Sequence, residues 1–408
     1  IFSAGVSEVN TRQLTKMYED EIKTRTPRTS FYNCLKNSAK QFYMTNADGH
    51  YLFAGYPWFK VRARDEFIAL PGCTLSNHHR PDFEAIMDTA KEAFTRWMET
   101  GEPDKHLQGI DLPDVPLWAA WAIQRYSHDT DVPTARERYG ELVAQLIDFI
   151  IDGKHPNLQV DDNGLVRTDG TRQPMSWMDS ARPDGTPLIP RTGYLVEFNA
   201  LWYNALMFLL QMYADDKQMQ SRVERWQKIS DAYAESFAPT FLNDYGYLYD
   251  YVNGSYTDLS VRPNMVIAVG VDHTPLDRRQ RKRILDFITR ELLTPKGLRT
   301  LSPNSYGYNP WYVGNPEQRE KAYYSGSARP WLMGFYCHAY VKVFGIGGLS
   351  FVNRMMIGFE DEMSQGAIGT LSELYDGNPP FIGRGAVSFA ANVGEILRVL
   401  RLLKNLDV

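Results

Sequence analysis

Phe198-Asn199-Ala200-Leu201-Trp202-Tyr203-Asn204-Ala205-Leu206-Met207-Phe208-Leu209-Leu210-Gln211-Met212-Tyr213 is apolar almost all the way round when wound as a helix. A helix of that kind has no face for water and belongs in an interior. Residues 278–293 read the opposite way. Ile284, Ile288 and Leu292 form one stripe, while Arg278, Arg279, Arg281, Lys282 and Arg283 face away from it, the signature of a surface helix. Working outward, the chain offers about a dozen helical candidates, at 31–46, 64–77, 81–99, 115–128, 134–152, 196–214, 217–240, 264–272, 277–293, 327–344, 348–364 and 385–405. Apolar and one-sided helices pair about six times, which predicts an all-α fold of two concentric rings. No repeat of fixed period points to a solenoid instead.

Residues 1–29 are polar and end in Thr26-Pro27-Arg28-Thr29-Ser30, a breaker followed by a helix-capping signal. The chain is therefore expected to divide into a connecting segment over 1–29, with one helix, and a single helical domain over 30–408. It opens at Ile1 with no signal-peptide pattern, so an upstream domain of the same polypeptide is expected.

Composition excludes several classes. A net charge of -5 over 408 residues gives no general attraction to nucleic acid or to anionic membranes. No apolar run approaches the ~18 residues that cross a bilayer. Cys34, Cys73 and Cys337 lie far apart without metal-ligand spacing, which disfavours a disulfide scaffold or a zinc site and fits a reducing, cytoplasmic setting. His78-His79, the close His pair, has no carboxylate or Cys at useful spacing. No cofactor motif is present: neither a Gly-rich phosphate loop nor a nucleophile elbow. The aromatic share is 13%, which serves sugar stacking and a large aromatic core equally well.

Two long connections, about 153–195 and 294–326, are rich in Gly, Pro, Asn, Ser, Tyr and Arg, and loops of such length are usually functional. A shorter one over 243–263 reads as a hairpin. What remains for chemistry is a pair of carboxylates, the equipment of glycoside hydrolysis. Ser176-Trp177-Met178-Asp179 sets an acid beside an indole, where apolar surface could raise its pKa. Leu371-Ser372-Glu373-Leu374-Tyr375-Asp376-Gly377 places another in the last loop. Loop carboxylates near aromatics also arise by chance, so context alone leaves the pair open.

Five segments in order carry a resemblance. They are Gly55-Tyr56-Pro57-Trp58-Phe59 leading to Arg64-Asp65, Ser176-Trp177-Met178-Asp179, Val196-Glu197-Phe198-Asn199-Ala200-Leu201-Trp202-Tyr203-Asn204-Ala205-Leu206, Arg262-Pro263-Asn264 and Gly297-Leu298-Arg299-Thr300-Leu301-Ser302-Pro303. Asp114 with Leu117-Trp118, Pro330-Trp331-Leu332 and the stretch from Ser372 to Gly385 add weaker matches. From about Gly55 to Leu403 the chain resembles the amylo-α-1,6-glucosidase domain of glycogen debranching enzymes. The resemblance implies an (α/α)6 barrel of the six-hairpin glycosidase type. It also implies inverting hydrolysis of α-glucosidic, α-1,6 branch bonds in a glycogen-like oligo- or polysaccharide.

Residue by residue, the resemblance makes Asp179 the general acid and Glu373 the general base. Arg64 and Asp65 would hold the terminal glucose, Glu197 and Asn199 would line the pocket floor, and Trp58 and Trp177 would pack on sugar rings. Asp114 and Trp331 complete the expected contacts. The chain also departs from the family pattern. Arg62-Ala63 stands where the family has Trp-Gly, and Tyr324-Ser325-Gly326-Ser327-Ala328-Arg329 stands where it has His-Gln-Gly-Thr-Val-Trp. Arg62 and Arg329 thus replace two Trp, and both are expected at the cleft. This opens two alternatives: a glycosidase for an anionic sugar, or a non-catalytic glucan-binding domain.

Overall fold

The computed structural model describes residues 10–406. Among them, six helices buried on nearly every side form an inner ring: Ala63–Cys73, Val115–Asp129, Val196–Tyr213, Met265–Gly270, Leu332–Phe344 and Ala390–Leu406. Each packs on the next, and the last closes on the first. That closure is tightest where Gly72 meets Gly394; a Cβ on Gly72 would lie 1.8 Å from the Gly394 carbonyl oxygen. Only glycine lets the two backbones come so near.

One-sided helices make the outer ring: Phe31–Lys40, Arg80–Thr100, residues 132–151 with a π-helical turn at Arg136–Gly140, Gln220–Phe241, Arg278–Glu291 and Leu349–Ile357. The architecture is an (α/α)6 barrel, as the alternation of apolar and one-sided helices implies. The Ser30 side chain caps Phe31–Lys40 by accepting from the Asn33 amide, and Asp277 with Gln280 forms a capping box on Arg278–Glu291. Ahead of the barrel, Thr11–Thr24 is a helix with no buried residue. Residues 1–9 of the expected connecting segment lie outside the described residues.

Where the expected helices overran, short strands take over. Tyr43–Asn46 pairs with Gly49–Leu52 instead of continuing a helix. The Asn46 side chain accepts from the Asp48 and Gly49 amides and makes the turn. Residues 327–331 and 385–389 likewise open with strands, Ala328–Arg329 and Ser388–Phe389. A five-stranded sheet runs in chain order through Leu293–Thr294, Gly297–Arg299, Ala328–Arg329, Leu374–Tyr375 and Gly383–Arg384. It sets Arg329 next to the Glu373 loop.

Contrary to the expectation from sequence, Leu332–Ser364 is apolar and long enough to cross a bilayer by composition. In the fold it is broken at Gly345–Gly348 into an inner helix and an outer helix of the barrel.

Candidate active site

The inner helices begin at one mouth, and their first turns, together with the first long connection and the last loop, carry the expected site residues. A narrow cavity there, of about 30 Å³, is lined by Arg62, Arg64, Asp65, Trp177, Arg329 and Glu373, with Ile68, Tyr323, Tyr324, Trp331, Phe389 and Ala391. That is room for a water and not for a sugar ring, so side chains of the wall must move before a glycoside enters.

Glu373 is 2% exposed. Its Oε2 accepts from the Ala386 amide at 2.9 Å, and its Oε1 lies 3.4 Å from Arg329 Nη1. Burial pushes its pKa up to about 8, because one amide and one long ion pair do not replace lost hydration. Asp179 sits at the cavity edge with its side chain 32% exposed. Arg62 Nη2 donates to its Oδ2 at 2.5 Å, and the Tyr324 hydroxyl lies 2.7 Å from its Oδ1. That hydroxyl has one proton and also lies 2.5 Å from the Trp177 carbonyl oxygen, so it serves one acceptor at a time.

The Asp179 pKa is lowered. Burial is the largest single influence and acts upward, but Arg62, Arg64 and Tyr324 together outweigh it. This corrects the expectation that the neighbouring Trp raises it. The Trp177 indole N–H is turned away, donating to Asn264 Oδ1 at 2.7 Å, and guanidinium groups face the carboxylate instead.

Arg64 does not pair with Asp65. Its guanidinium grips Asp114 with two hydrogen bonds, 2.6 and 2.9 Å, in full burial. Asp114 also accepts from Trp118 Nε1 and is absent from the cavity wall; it holds Arg64 in place and does not meet a ligand there. Asp65 Oδ2 is 3.1 Å from Arg62 Nε but accepts no hydrogen bond, and Arg329 Nε donates none. The cavity wall thus keeps a carboxylate oxygen and a guanidinium N–H without protein hydrogen bonds, which suits a polyhydroxylated ligand.

Glu197 and Asn199 are corrected more fully. Glu197 lies in a buried cluster, taking both Nη atoms of Arg191, whose Nε donates to Asp250 at 2.6 Å. Asn199 spends its amide on the backbone of Val166 and Leu195. Both fix loops behind the site. Trp58 is 59% exposed and lies against Phe59 outside the cavity. Trp177 and Trp331 do line it, edge to face with ring centroids 5.2 Å apart.

Arg62 and Arg329 converge on the cavity as expected, yet neither is unengaged. Arg62 bridges Asp65 and Asp179 over the Phe59 ring. Arg329 meets Glu373 and the Tyr323 carbonyl, with its guanidinium over the Tyr323 and Tyr324 rings. Three guanidinium groups here face four carboxyl groups, so the arginines answer local acids and leave no surplus cation, among the described residues, for an anionic sugar.

Two residues escaped the sequence reading. Tyr324 was visible only as a departure from the family pattern. Asn264 links Trp177 to Asp250 through its side-chain amide, and it stood in a quoted motif without a role. Among the described residues, no three His, Cys, Asp or Glu side chains converge to hold a metal ion.

Residues 36–398 match the family described as amylo-alpha-1,6-glucosidase. The glycogen debranching enzyme of Saccharomyces cerevisiae is 24% identical over 237 residues, covering 48% of this chain and 15% of that protein. The chain therefore spans only a small part of that relative's length. Similar solved structures include an uncharacterized conserved protein from Thermus thermophilus, with TM-score 0.57, 13% identity, 89% of this chain and 99% of the other covered. A GH63 mannosylglycerate hydrolase from the same organism, in complex with glucose, gives TM-score 0.58, 13% identity, and 90% and 99% coverage. At such identity these likenesses speak to the fold.

Proposed function

The chain belongs to the amylo-alpha-1,6-glucosidase family and is a glycoside hydrolase, and we propose that it removes a single α-1,6-linked glucose from branched glucans with inversion. The observation that carries this reading is the cavity with one carboxyl group at its edge and another in its wall. Asp179 would protonate the leaving oxygen, and Glu373 would take a proton from the attacking water. Arg64 and Asp65 would hold ring hydroxyls, with Trp177 and Trp331 as the apolar walls.

An inverting turnover ends with the acid ionised and the base protonated. That is the state favoured by the guanidinium on Asp179 and the burial of Glu373. Each new cycle must move a proton back, so the acid has to be reset before it can act. Mannosylglycerate, named for a structural neighbour, carries a carboxylate for which the paired arginines leave no surplus charge, and it serves as the contrasting substrate in the panel.

The test is anomeric NMR on a limit dextrin with single-glucose branches, linear malto-oligosaccharides and mannosylglycerate, using wild type, Asp179→Asn and Glu373→Gln. Release of β-glucose from the limit dextrin, and ~10²–10⁴-fold losses in both variants, are expected. Release of α-glucose, or near-normal activity in either variant, would refute the mechanism; preference for mannosylglycerate would refute the substrate.

A further inference from the structure

We propose that Arg62 is a substrate-displaced latch, a positioning residue that covers the Asp179 oxygen a glycosidic bond needs and swings onto Asp65 when a glycoside enters. The inference rests on Asp179 being the acid. Both oxygens of Asp179 are occupied, Oδ1 beside the Tyr324 hydroxyl and Oδ2 under Arg62 Nη2. While Arg62 sits on Oδ2, that oxygen cannot hand a proton to a glycosidic oxygen. Tyr324 is buried and anchored to the Trp177 carbonyl. Arg62 is the movable partner, with its side chain 28% exposed against 4% for both Arg64 and Arg329.

The backbone under Arg62 is fixed, since Gln108 bonds to both flanking residues, Val61 and Ala63. The side chain therefore moves alone. A second seat is ready: Asp65 Oδ2, one helical turn on, is 3.1 Å from Arg62 Nε and accepts no hydrogen bond at present. Rotation toward Asp65 would complete that pair through Oδ2, leave Oδ1 for a ring hydroxyl, and uncover Asp179.

The charged and titratable groups around Asp179 come from three places. Arg62, Arg64 and Asp65 lie at the start of one inner helix, with Asp114 behind Arg64. Tyr324 comes from the second long connection, Arg329 from the strand Ala328–Arg329 that follows it, and Glu373 from the last loop. Of these, only Arg62 touches Oδ2, so its departure is the event that lets Asp179 keep a proton. With the acid titrating below the base, the active form is a minor member of the singly protonated pool. The lower edge of that pool is set by Asp179 and the upper by Glu373.

Because kcat/KM reports the free enzyme and kcat the complex, the two acid limbs should separate. In wild type the acid limb of kcat/KM is expected at lower pH than that of kcat. Arg62→Met should raise the kcat/KM limb by ~1 pH unit, the least expected on losing an adjacent opposite charge, until it meets the kcat limb. Arg62→Lys should restore the gap. Coincident limbs in wild type, or an unmoved limb in Arg62→Met, would overturn the latch. If those occur while Asp179→Asn is inactive, the acid assignment stands and only the latch fails. An active Asp179→Asn would bring down the underlying reading instead. The wild-type comparison needs no variant to fold.

Discussion

Glu373 owes its position to a glycine twelve residues on. Gly385 has φ +70°, and a Cβ there would lie 2.3 Å from Glu373 Oε2. Gly385→Ala is therefore expected to push the carboxyl group off the Ala386 amide. A misplacement near 1 Å costs ~10²-fold in rate, and a left-handed backbone on alanine costs ~1–2 kcal/mol. Steady-state kinetics beside a melting curve would check both; full activity would mean the carboxyl group is not where the reaction needs it. The same residues show what sequence can and cannot reveal. Asp179 and Glu373 stand out as loop acids beside aromatics. The sign of the shift on Asp179 does not, because it depends on Arg62, 117 positions away, and a local Trp predicts the opposite sign.

The first long connection carries a short strand pair, Gln159–Val160 with Val166–Arg167, and joins the 243–263 hairpin through Tyr194–Leu195, but buried ions fix its far end. Arg191 at its far end binds Glu197 on the next inner helix and Asp250 on the hairpin, and Asp250 passes the constraint through Asn264 to Trp177. Removing one member of a buried ion cluster typically costs ~3–5 kcal/mol. Arg191→Met should therefore lower stability by that order in a denaturant melt. Glu197→Gln should lower stability while leaving KM unchanged, since Glu197 holds the loop and touches no ligand. A KM that rises with no change in Tm would return Glu197 to the pocket. Helices such as Val196–Tyr213 were legible because burial on all faces is written in every residue. The short strands Ala328–Arg329 and Ser388–Phe389 were not. Two residues carry no periodicity, and only their partners in other loops make them strands.

Across the whole barrel, buried acids set the response to pH. Glu66 and Glu373 both titrate near 8, raised first by burial. Between an unfolded value of 4.5 and about 8 the folded chain holds protons that the unfolded chain has released, so stability falls as pH rises. His155, lowered to about 4 by burial, works the other way, but only below its unfolded value of 6.5. Melting temperature should thus decline from pH 6.5 to 8, and Glu66→Gln and Glu373→Gln should each flatten that slope; a slope unchanged in both would show that neither carboxyl group is protonated in the fold. The ring of parallel inner helices has a further electrical consequence. Each helix brings roughly half a positive charge to its N-terminus and half a negative charge to its C-terminus, and all six begin at the same mouth. Asp65, Asp114, Glu197 and the Glu373 loop gather at that end. At the other end, Arg125 and Lys342 pair with Asp272, Arg398 with Glu395 and Arg401 with Asp129, while Arg401 and Lys342 also donate to the carbonyls of Leu75, Gly270 and Val271. Side chains of both signs at each end answer these partial charges locally. Each end of the barrel is thus neutralised where it stands, and a substitution that removes one of these charges is felt in the adjoining helix turn and not at the opposite mouth.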